Sequence, residues 1–80
     1  MQYVYVLKSL KDKKLYIGCT ANVDKRITEH NRGAVRSTKS RLPFEVAYVE
    51  KYENIYEAFR RERYFKTAVG KRELLKKLST

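Results

Sequence analysis

Cysteine, histidine, proline, glycine and tryptophan are scarce in this chain of 80 residues. It has one cysteine, one histidine, one proline, three glycines and no tryptophan. A single cysteine excludes an internal disulfide and is typical of proteins in a reducing cytosol. One cysteine and one histidine cannot supply a structural zinc site of the usual kind. We expect Cys19 to be a small strand residue, with a nucleophilic role as the much weaker interpretation.

Long apolar runs are also absent. A membrane-spanning helix needs about 20 mostly apolar residues in succession, and the sequence has no such run. No charged leader followed by an apolar stretch and a cleavage site is visible, so we expect no secretory signal and a cytoplasmic location. The length predicts a single domain, residues 1–80, with a small core.

Acidic residues are few, with nine against 19 lysines and arginines, so the net charge is +10 at pH 7. This excess favours a polyanionic partner, most often nucleic acid. The alternative is a generic solvated surface. A membrane surface is a weaker interpretation, because no helix pairs a strongly basic face with large exposed apolar residues.

The first 31 residues predict two strands and a helix. Residues 3–7 and 15–19 are rich in the β-branched and aromatic residues that strands favour, with a polar turn at 10–14. Asn22 is the expected N-cap of a helix over residues 23–31. If the strands pair as a hairpin, side chains from both can meet on one face, and the helix brings two more within reach. These four side chains are Tyr5, Tyr16, Arg26 and His30.

The remaining chain predicts a loop, a strand and two helices. The loop over residues 32–43 carries four basic residues and no acid, which suits phosphate contacts but also an ordinary solvated connector. The strand is predicted over residues 44–52, with Phe44, Val46 and Tyr48 on one face and Glu45, Ala47 and Val49 on the other. A helix over residues 54–69, capped by Asn54 with Glu57 close to a capping box, is expected to end at Gly70. The last helix spans residues 71–78, with Leu74, Leu75 and Leu78 inward and its cations outward.

The long helix carries one residue that does not suit an apolar face. Its expected stripe is Ile55, Ala58, Phe59, Phe65 and Val69, and Glu62 falls in the middle of that stripe. A carboxylate facing a core is costly unless it is paired or binds a cation. Glu62 is therefore a candidate metal ligand; the alternatives are a salt bridge to an arginine or lysine, or a helix rotation that exposes it.

Together these residues resemble a known family. Tyr-Val-Tyr at positions 3–5, Tyr-Ile-Gly at positions 16–18, then Arg26 and His30, are similar to the GIY-YIG nuclease domain, which includes homing endonucleases, restriction enzymes and part of a bacterial repair excinuclease. The resemblance covers nearly the whole chain. The second tripeptide matches as it stands, whereas the first has Tyr-Val-Tyr in place of Gly-Ile-Tyr. The segment around Glu62 is similar to the family's metal-binding helix.

The resemblance implies a fold and a set of roles. It implies an α+β fold of one three-stranded antiparallel sheet with three helices, in the order β-β-α-β-α-α. It implies Glu62 as ligand of one Mg²⁺ or Mn²⁺ ion, Arg26 on the phosphate, and Tyr16 at the water-activating position. Tyr5 would position the water or the phosphate, and His30 would hydrogen-bond a tyrosine or the phosphate. Some members use an asparagine after the metal-binding helix; here Lys66 or Thr67 are the available substitutes.

The leading hypothesis is a divalent-metal-dependent endonuclease that hydrolyses DNA with low sequence specificity or a preference for DNA shape. The phosphate-binding residues are then expected to be Arg32, Arg36, Lys39, Arg41 and Lys66. The first alternative is a non-catalytic module of the same fold that binds DNA or RNA, or cuts only with a protein partner. A weaker alternative is a protein-interaction adaptor that uses the leucines of the last helix. A monomer is favoured.

Overall fold

The computed structural model describes residues 1–79, in which three strands form one sheet and three α-helices pack on it. In chain order the elements are β1 (Gln2–Ser9), β2 (Leu15–Thr20), α1 (Val23–Asn31), β3 (Phe44–Tyr52), α2 (Ile55–Phe65) and α3 (Ala68–Leu78), with a short 3-10 helix at Lys39–Arg41. The sheet is antiparallel in the order β2-β1-β3. The predicted class and element order are confirmed. Within residues 1–79, the helices are too short or too polar to cross a bilayer.

The hairpin of β1 and β2 has the register that the site needs. Tyr5 lies opposite Gly18, and Leu7 lies opposite Tyr16. Ser9 is buried and holds the turn, because its hydroxyl oxygen accepts the backbone N–H groups of Lys11 and Asp12 at 3.2 Å. With this register, Tyr5 and Tyr16 share one face of the sheet, as the alternation of strand residues predicts.

Strand β3 departs from simple alternation. Its pairing with β1 shifts between Val6 and Leu7, so that Val6 lies opposite Tyr48 and Leu7 lies opposite Val46. The extra residue, Ala47, forms a β-bulge, which moves every later residue of β3 to the other face. The prediction that Val46 and Tyr48 share a face is therefore wrong.

Two apolar clusters lie on the two faces of the sheet. On one face, Val4, Val6 and Ile17 pack against α2 and α3 through Ala58, Phe65 and Leu74. On the other face, Tyr5, Leu7 and Phe44 pack beneath α1 with the half-buried residues Tyr16, Val23, Ile27 and Leu42. The central strand β1 thus contributes side chains to both clusters, which fixes it rigidly between the two helical layers.

Helix α1 begins and ends as the sequence predicts. The side-chain oxygen of Asn22 accepts the backbone N–H of Lys25 at 3.0 Å. At the other end, the Asn31 side chain accepts the Phe44 N–H at 2.8 Å and donates to the Phe44 carbonyl at 3.0 Å. These bonds tie the last turn of α1 to the start of β3, and the neighbouring His30 is held in place with it.

The break between α2 and α3 lies earlier than predicted. Helix α2 ends at Phe65 because the Thr67 hydroxyl donates to the Tyr64 carbonyl at 2.6 Å; the same oxygen accepts the Gly70 N–H at 3.0 Å and caps α3. Gly70 does not end a helix: it is buried inside α3, and a Cβ there would lie 1.8 Å from the Tyr64 carbonyl oxygen. Thr67 is thus a cap residue, with its hydroxyl committed to the helix ends.

The apolar stripe of α2 is narrower than predicted. Ala58 and Phe65 are fully buried, whereas Ile55 and Phe59 are each 43% exposed and Val69, which lies in α3, is 60% exposed. In α3, Leu74 is buried and Leu78 half-buried, but Leu75 is exposed, so its predicted inward position is wrong. The outward lysines and arginine of this helix, Lys71, Arg72, Lys76 and Lys77, are exposed as predicted.

A half-buried ion pair sets the rotation of α2. The Arg61 guanidinium binds both carboxylate oxygens of Glu50 on β3, at 2.9 and 3.2 Å, and lies 4.2 Å over the Phe65 ring. The hydroxyls of Tyr48 and Tyr52 also donate to the Glu50 carboxylate, each at 2.6 Å. With Arg61 held against β3, the next residue, Glu62, turns toward the opposite edge of the sheet, where β2 lies.

Candidate active site

Tyr5 lies at the centre of the sheet on the face that α1 covers. Its side chain is 2% exposed, and Gly18 lies opposite it on the adjacent strand β2. A Cβ on residue 18 would lie 2.5 Å from the Tyr5 hydroxyl oxygen and 2.7 Å from Cζ. The end of the tyrosine ring therefore occupies the space that any side chain at position 18 would need.

The Tyr5 hydroxyl is bonded to two side chains of α1. Its oxygen lies 3.1 Å from Nε2 of His30, and Nε–H of Arg26 donates to it at 3.4 Å. Arg26 and His30 are four residues apart, so one face of the helix presents both. The structure therefore brings Tyr5, Arg26 and His30 together, as the sequence predicts.

Tyr16 completes the aromatic part of the site. Its ring centroid lies 4.9 Å from that of His30 and 6.3 Å from that of Tyr5, with the His30 contact edge-to-face. Tyr16 is half-buried, whereas Tyr5 and His30 are almost completely enclosed. Of the two tyrosines, Tyr16 is the one that a solvent molecule or a substrate can reach more easily.

Burial keeps Tyr5 and His30 neutral at physiological pH. Burial raises the pKa of Tyr5, and this effect exceeds the opposing hydrogen bond from Arg26. Burial also lowers the pKa of His30, and the positive charge of Arg26 lowers it further. The pair therefore meets a substrate as phenol and imidazole, joined by a hydrogen bond between two neutral groups.

Arg26 brings the positive charge of the site. Its hydrogen bond to Tyr5 raises its pKa, so the guanidinium stays charged, and its side chain is 35% exposed. Within residues 1–79, the one carboxylate paired with Arg26 is that of Glu29, at a long 3.7 Å. A guanidinium anchored on one side and open to solvent on the other can donate to phosphate oxygens.

Glu62 approaches the same region from α2. Its side chain is 21% exposed, and Lys66 binds its carboxylate with a distance of 2.7 Å between Nζ and Oε2. The carboxylate lies beside the Cys19 thiol, and burial together with this negative charge raises the pKa of Cys19 to about 12. Glu62 is also near enough to Tyr5 for its charge to raise the pKa of that hydroxyl. The carboxylate thus lies next to the edge strand β2, on the other side from α1.

Comparison with known proteins identifies the family. The model of the GIY-YIG catalytic domain matches residues 1–76. The chain belongs to this family.

The similar proteins are short UPF0213 proteins. A UPF0213 protein of Clostridium perfringens is 44% identical over 75 residues, covering 92% of this chain and 80% of the relative. One from Staphylococcus haemolyticus is 46% identical over 66 residues, covering 81% and 79%. The solution NMR structure of a UPF0213 protein from Bacillus halodurans superposes with a TM-score of 0.57 at 34% identity, covering 95% of this chain and 84% of that one. Their names state no activity, so the chemistry has to be argued from the site.

GIY-YIG nucleases typically depend on a divalent metal, for which Glu62 is the candidate ligand in this chain. Within residues 1–79, no three histidine, cysteine or acidic side chains are grouped so that they could cage an ion. One carboxylate suffices for magnesium, which keeps most of its waters and takes further oxygens from a substrate phosphate. The Lys66 ammonium that now pairs with Glu62 is 54% exposed, and breaking such a pair costs only about 0–1 kcal/mol. Glu62 therefore fits a weakly held, water-coordinated ion.

The predicted phosphate-binding residues of this GIY-YIG domain fall into two groups. Arg32, Arg36 and Lys39 are exposed. Arg41 instead binds Asp12 at 2.9 Å and lies 5.4 Å over the Phe44 ring, so it is part of the fold, and Lys66 is paired with Glu62. The first group is free to meet a phosphate backbone, whereas the second would have to give up a contact.

Two features of the site were missed by sequence reasoning. Thr38, in the basic loop, is fully buried, and its Oγ1 lies 2.8 Å from Nδ1 of His30. The need for glycine at position 18 comes from its contact with Tyr5 rather than from a turn. The loop composition gave no signal for Thr38, because a threonine among lysines and serines has the pattern of a solvated segment.

Proposed function

We propose that this protein is an endonuclease that hydrolyses phosphodiester bonds in DNA with the help of one divalent metal ion. The observation that carries the proposal is the Tyr5 hydroxyl held between His30 and the partly exposed Arg26, with the Glu62 carboxylate nearby. A packed tyrosine alone would need neither an open guanidinium beside it nor a half-buried carboxylate in its vicinity. Membership of a catalytic-domain family supports the same conclusion.

Each residue of the candidate site has a role that suits its chemistry. Arg26 donates to the phosphate oxygens, where negative charge accumulates as the bond to phosphorus forms. Tyr16, the more exposed tyrosine, orients the attacking water, while Tyr5 and His30 form the buried hydrogen-bonded wall behind it. Glu62 would hold the metal ion, with its charge freed from Lys66. When bound, a Mg²⁺ or Mn²⁺ ion would supply charge neutralisation at the phosphate and at the leaving oxygen.

The nucleic acid is held mainly through its phosphates. The chain has a net charge of +10, and Arg32, Arg36 and Lys39 are exposed in the loop that follows the His30 helix. Such contacts position a backbone but do not read base sequence. Specificity is therefore low, set by DNA shape, or supplied by a protein partner.

A second candidate is a module of the same fold that binds nucleic acid without cutting it. The salt bridge between Glu62 and Lys66 favours this alternative, because it satisfies the carboxylate without a metal. Under this alternative, binding to DNA or RNA is salt-sensitive, independent of metal, and unchanged when Glu62 is neutralised.

The test is a cleavage assay in which binding is measured on the same samples. Supercoiled plasmid, a branched DNA and a single-stranded RNA are incubated with wild type, Glu62→Gln and Glu57→Gln, with magnesium, manganese or EDTA. Glu57 is the matched control, because it is an exposed glutamate in the first turn of the same helix.

We expect metal-dependent cutting by wild type and Glu57→Gln, and a loss of at least about 10²-fold in Glu62→Gln, equivalent to about 2.7 kcal/mol of barrier. Cutting that resists EDTA, or that is equal in Glu62→Gln, would remove the metal assignment. Retained binding without cutting by any variant would establish the second candidate.

A further inference from the structure

The loop between α1 and β3 places one buried hydroxyl against His30. Thr38 is 0% exposed, in a segment whose other polar side chains are mostly exposed. It stands at the N-cap position of the short 3-10 helix, where threonine commonly bonds a backbone N–H, yet it makes no such bond. Its Oγ1 lies 2.8 Å from Nδ1 of His30 instead. The Thr38 hydroxyl thus hydrogen-bonds the histidine and does not cap the 3-10 helix.

Counting protons decides which way these hydrogen bonds run. A threonine or tyrosine hydroxyl has one proton to donate, and a neutral imidazole carries a proton on one of its two nitrogens. The Thr38 hydroxyl can donate its own proton to the Val35 carbonyl at 3.4 Å, so its oxygen can accept a hydrogen bond from Nδ1–H of His30. Nε2 is then bare and accepts the Tyr5 hydroxyl proton at 3.1 Å, and the Tyr5 oxygen accepts from Nε–H of Arg26. Every proton in this arrangement has an acceptor.

The opposite arrangement leaves one proton without an acceptor. If Thr38 donated to Nδ1, then Nε2–H of His30 and Nε–H of Arg26 would both donate to the Tyr5 oxygen. Tyr5 is 2% exposed, and among residues 1–79 its hydroxyl has only these two hydrogen-bond partners, neither of which could then accept its own proton. A buried donor without an acceptor costs about 1–3 kcal/mol, so the first arrangement is favoured.

We propose that Thr38 is a positioning residue that holds His30 in the Nδ1–H tautomer, so that Nε2 accepts the proton of the Tyr5 hydroxyl. The catalytic meaning of this assignment rests on the proposed function, but the tautomer itself does not. In this state the Tyr5 oxygen presents a lone pair to Nε–H of Arg26 and its proton to Nε2 of His30. With Nδ1–H bonded to Thr38 and Nε2 bonded to the Tyr5 hydroxyl, the imidazole and the phenol are held in one orientation relative to Arg26.

The tautomer can be read directly, because His30 is the only histidine in the chain. Nitrogen-15 NMR of the free protein at neutral pH distinguishes a bare from a protonated ring nitrogen. We expect a protonated Nδ1 and a bare Nε2 in wild type, with the same pattern in Thr38→Ser, which keeps the hydroxyl. In Thr38→Val, which keeps the shape but loses the acceptor, the Nε2–H form should appear. A protonated Nε2 in wild type, or an unchanged pattern in Thr38→Val, would overturn the assignment.

Cleavage by the same variants then separates this inference from the proposed function. Thr38→Val should lower kcat by at least about tenfold with little change in KM, while Thr38→Ser stays close to wild type, because a misoriented proton partner weakens the chemical step. If wild type shows the expected tautomer but cuts nothing, the proposed function fails and the tautomer assignment stands. If wild type cuts while its His30 carries the proton on Nε2, the assignment fails alone.

Discussion

Replacing Gly18 with alanine should damage the site with little other change in the protein. The added Cβ would lie 2.5 Å from the Tyr5 hydroxyl oxygen and 2.7 Å from Cζ, whereas ordinary contact begins at 3.4 Å. The end of the ring must therefore move by about 1 Å, and misplacement on this scale can cost about 10²-fold in rate. Its bonds to His30 and Arg26 are already 3.1 and 3.4 Å long, so at least one of them should break.

The cost in stability can be worked out in the same way. Overpacking a buried site costs about 1–3 kcal/mol, and losing a hydrogen bond of Tyr5 costs about 1 kcal/mol more. Replacing a strand glycine returns about 0.5–1 kcal/mol of backbone entropy. The free energy of unfolding of Gly18→Ala should thus fall by about 1–3 kcal/mol, which leaves the protein folded if its stability is the usual 4–12 kcal/mol or so for this length.

The assay combines urea unfolding, followed by circular dichroism, with cleavage under conditions where each variant is folded. Gly33→Ala is the control: Gly33 has φ of +78°, and its Cβ would meet nothing closer than 3.7 Å. Gly33→Ala should lose about 1–2 kcal/mol of stability through its left-handed backbone and keep its activity. The reasoning is refuted if Gly18→Ala is as stable and as active as wild type, or if Gly33→Ala loses activity to the same extent.

Three further predictions concern the frame around the site. Burial raises the pKa of Glu50, but hydrogen bonds from Arg61 and the two tyrosines outweigh it and lower the pKa from 4.5 to about 2; the resulting stabilisation, about 3 kcal/mol, is present above pH 4.5 and lost as the pH falls toward 2. Glu50→Gln should therefore flatten the acid dependence of urea unfolding, and a wild type that keeps its full stability near pH 2 would contradict this. Gly70→Ala should lower the free energy of unfolding by about 3 kcal/mol or more, because the added Cβ would lie 1.8 Å from the Tyr64 carbonyl oxygen. An unchanged melting temperature in thermal unfolding would contradict the close crossing of α2 and α3. Arg36→Gln should lower the salt dependence of nucleic-acid binding by about one counterion and leave the stability unchanged. Arg41→Gln should instead lower the melting temperature, because Arg41 binds Asp12. The reverse pattern would contradict the assignment of these two arginines.

The first half of the chain could be predicted closely from its sequence. The hairpin and α1 follow from short-range preferences: β-branched and aromatic residues in the strands, and Asn22 as a cap. The spacing of Arg26 and His30 on α1, with Tyr5 on the central strand, was enough to bring the three side chains together. Local chemistry and tertiary packing agree in this part of the chain, and such agreement makes a prediction reliable.

The second half could not be predicted in the same way, because packing overrides local preference there. A glycine after a helix usually marks its end, but Gly70 lies where α2 and α3 come too close for any side chain. The bulge at Ala47 depends on how β3 pairs with β1, and no residue of β3 predicts it from the sequence. The exposure of Phe59 and Val69 follows from how α2 and α3 pack on the sheet, which the helical period alone does not specify.

The sequence predicts part of the arrangement of the candidate site, whereas the roles of its residues stay predictions. A carboxylate on an apolar face needs a partner, and in the structure Glu62 is half-buried and paired with Lys66. Its role as a metal ligand stays a prediction. Thr38 shows the limit of such reasoning, because its function depends on a contact with His30 that only the folded loop creates.

The central claim is that the side chains on α1 and β1 and the carboxylate on α2 form one active site. Single-turnover cleavage by wild type, Tyr5→Phe, Glu62→Gln and the double variant tests this most directly, because residues that act as a unit are strongly non-additive. We expect each single variant to be slower by at least about 10²-fold and the double variant to be hardly slower than the worse single one. A wild-type rate in either single variant, or losses that simply multiply in the double variant, would contradict it.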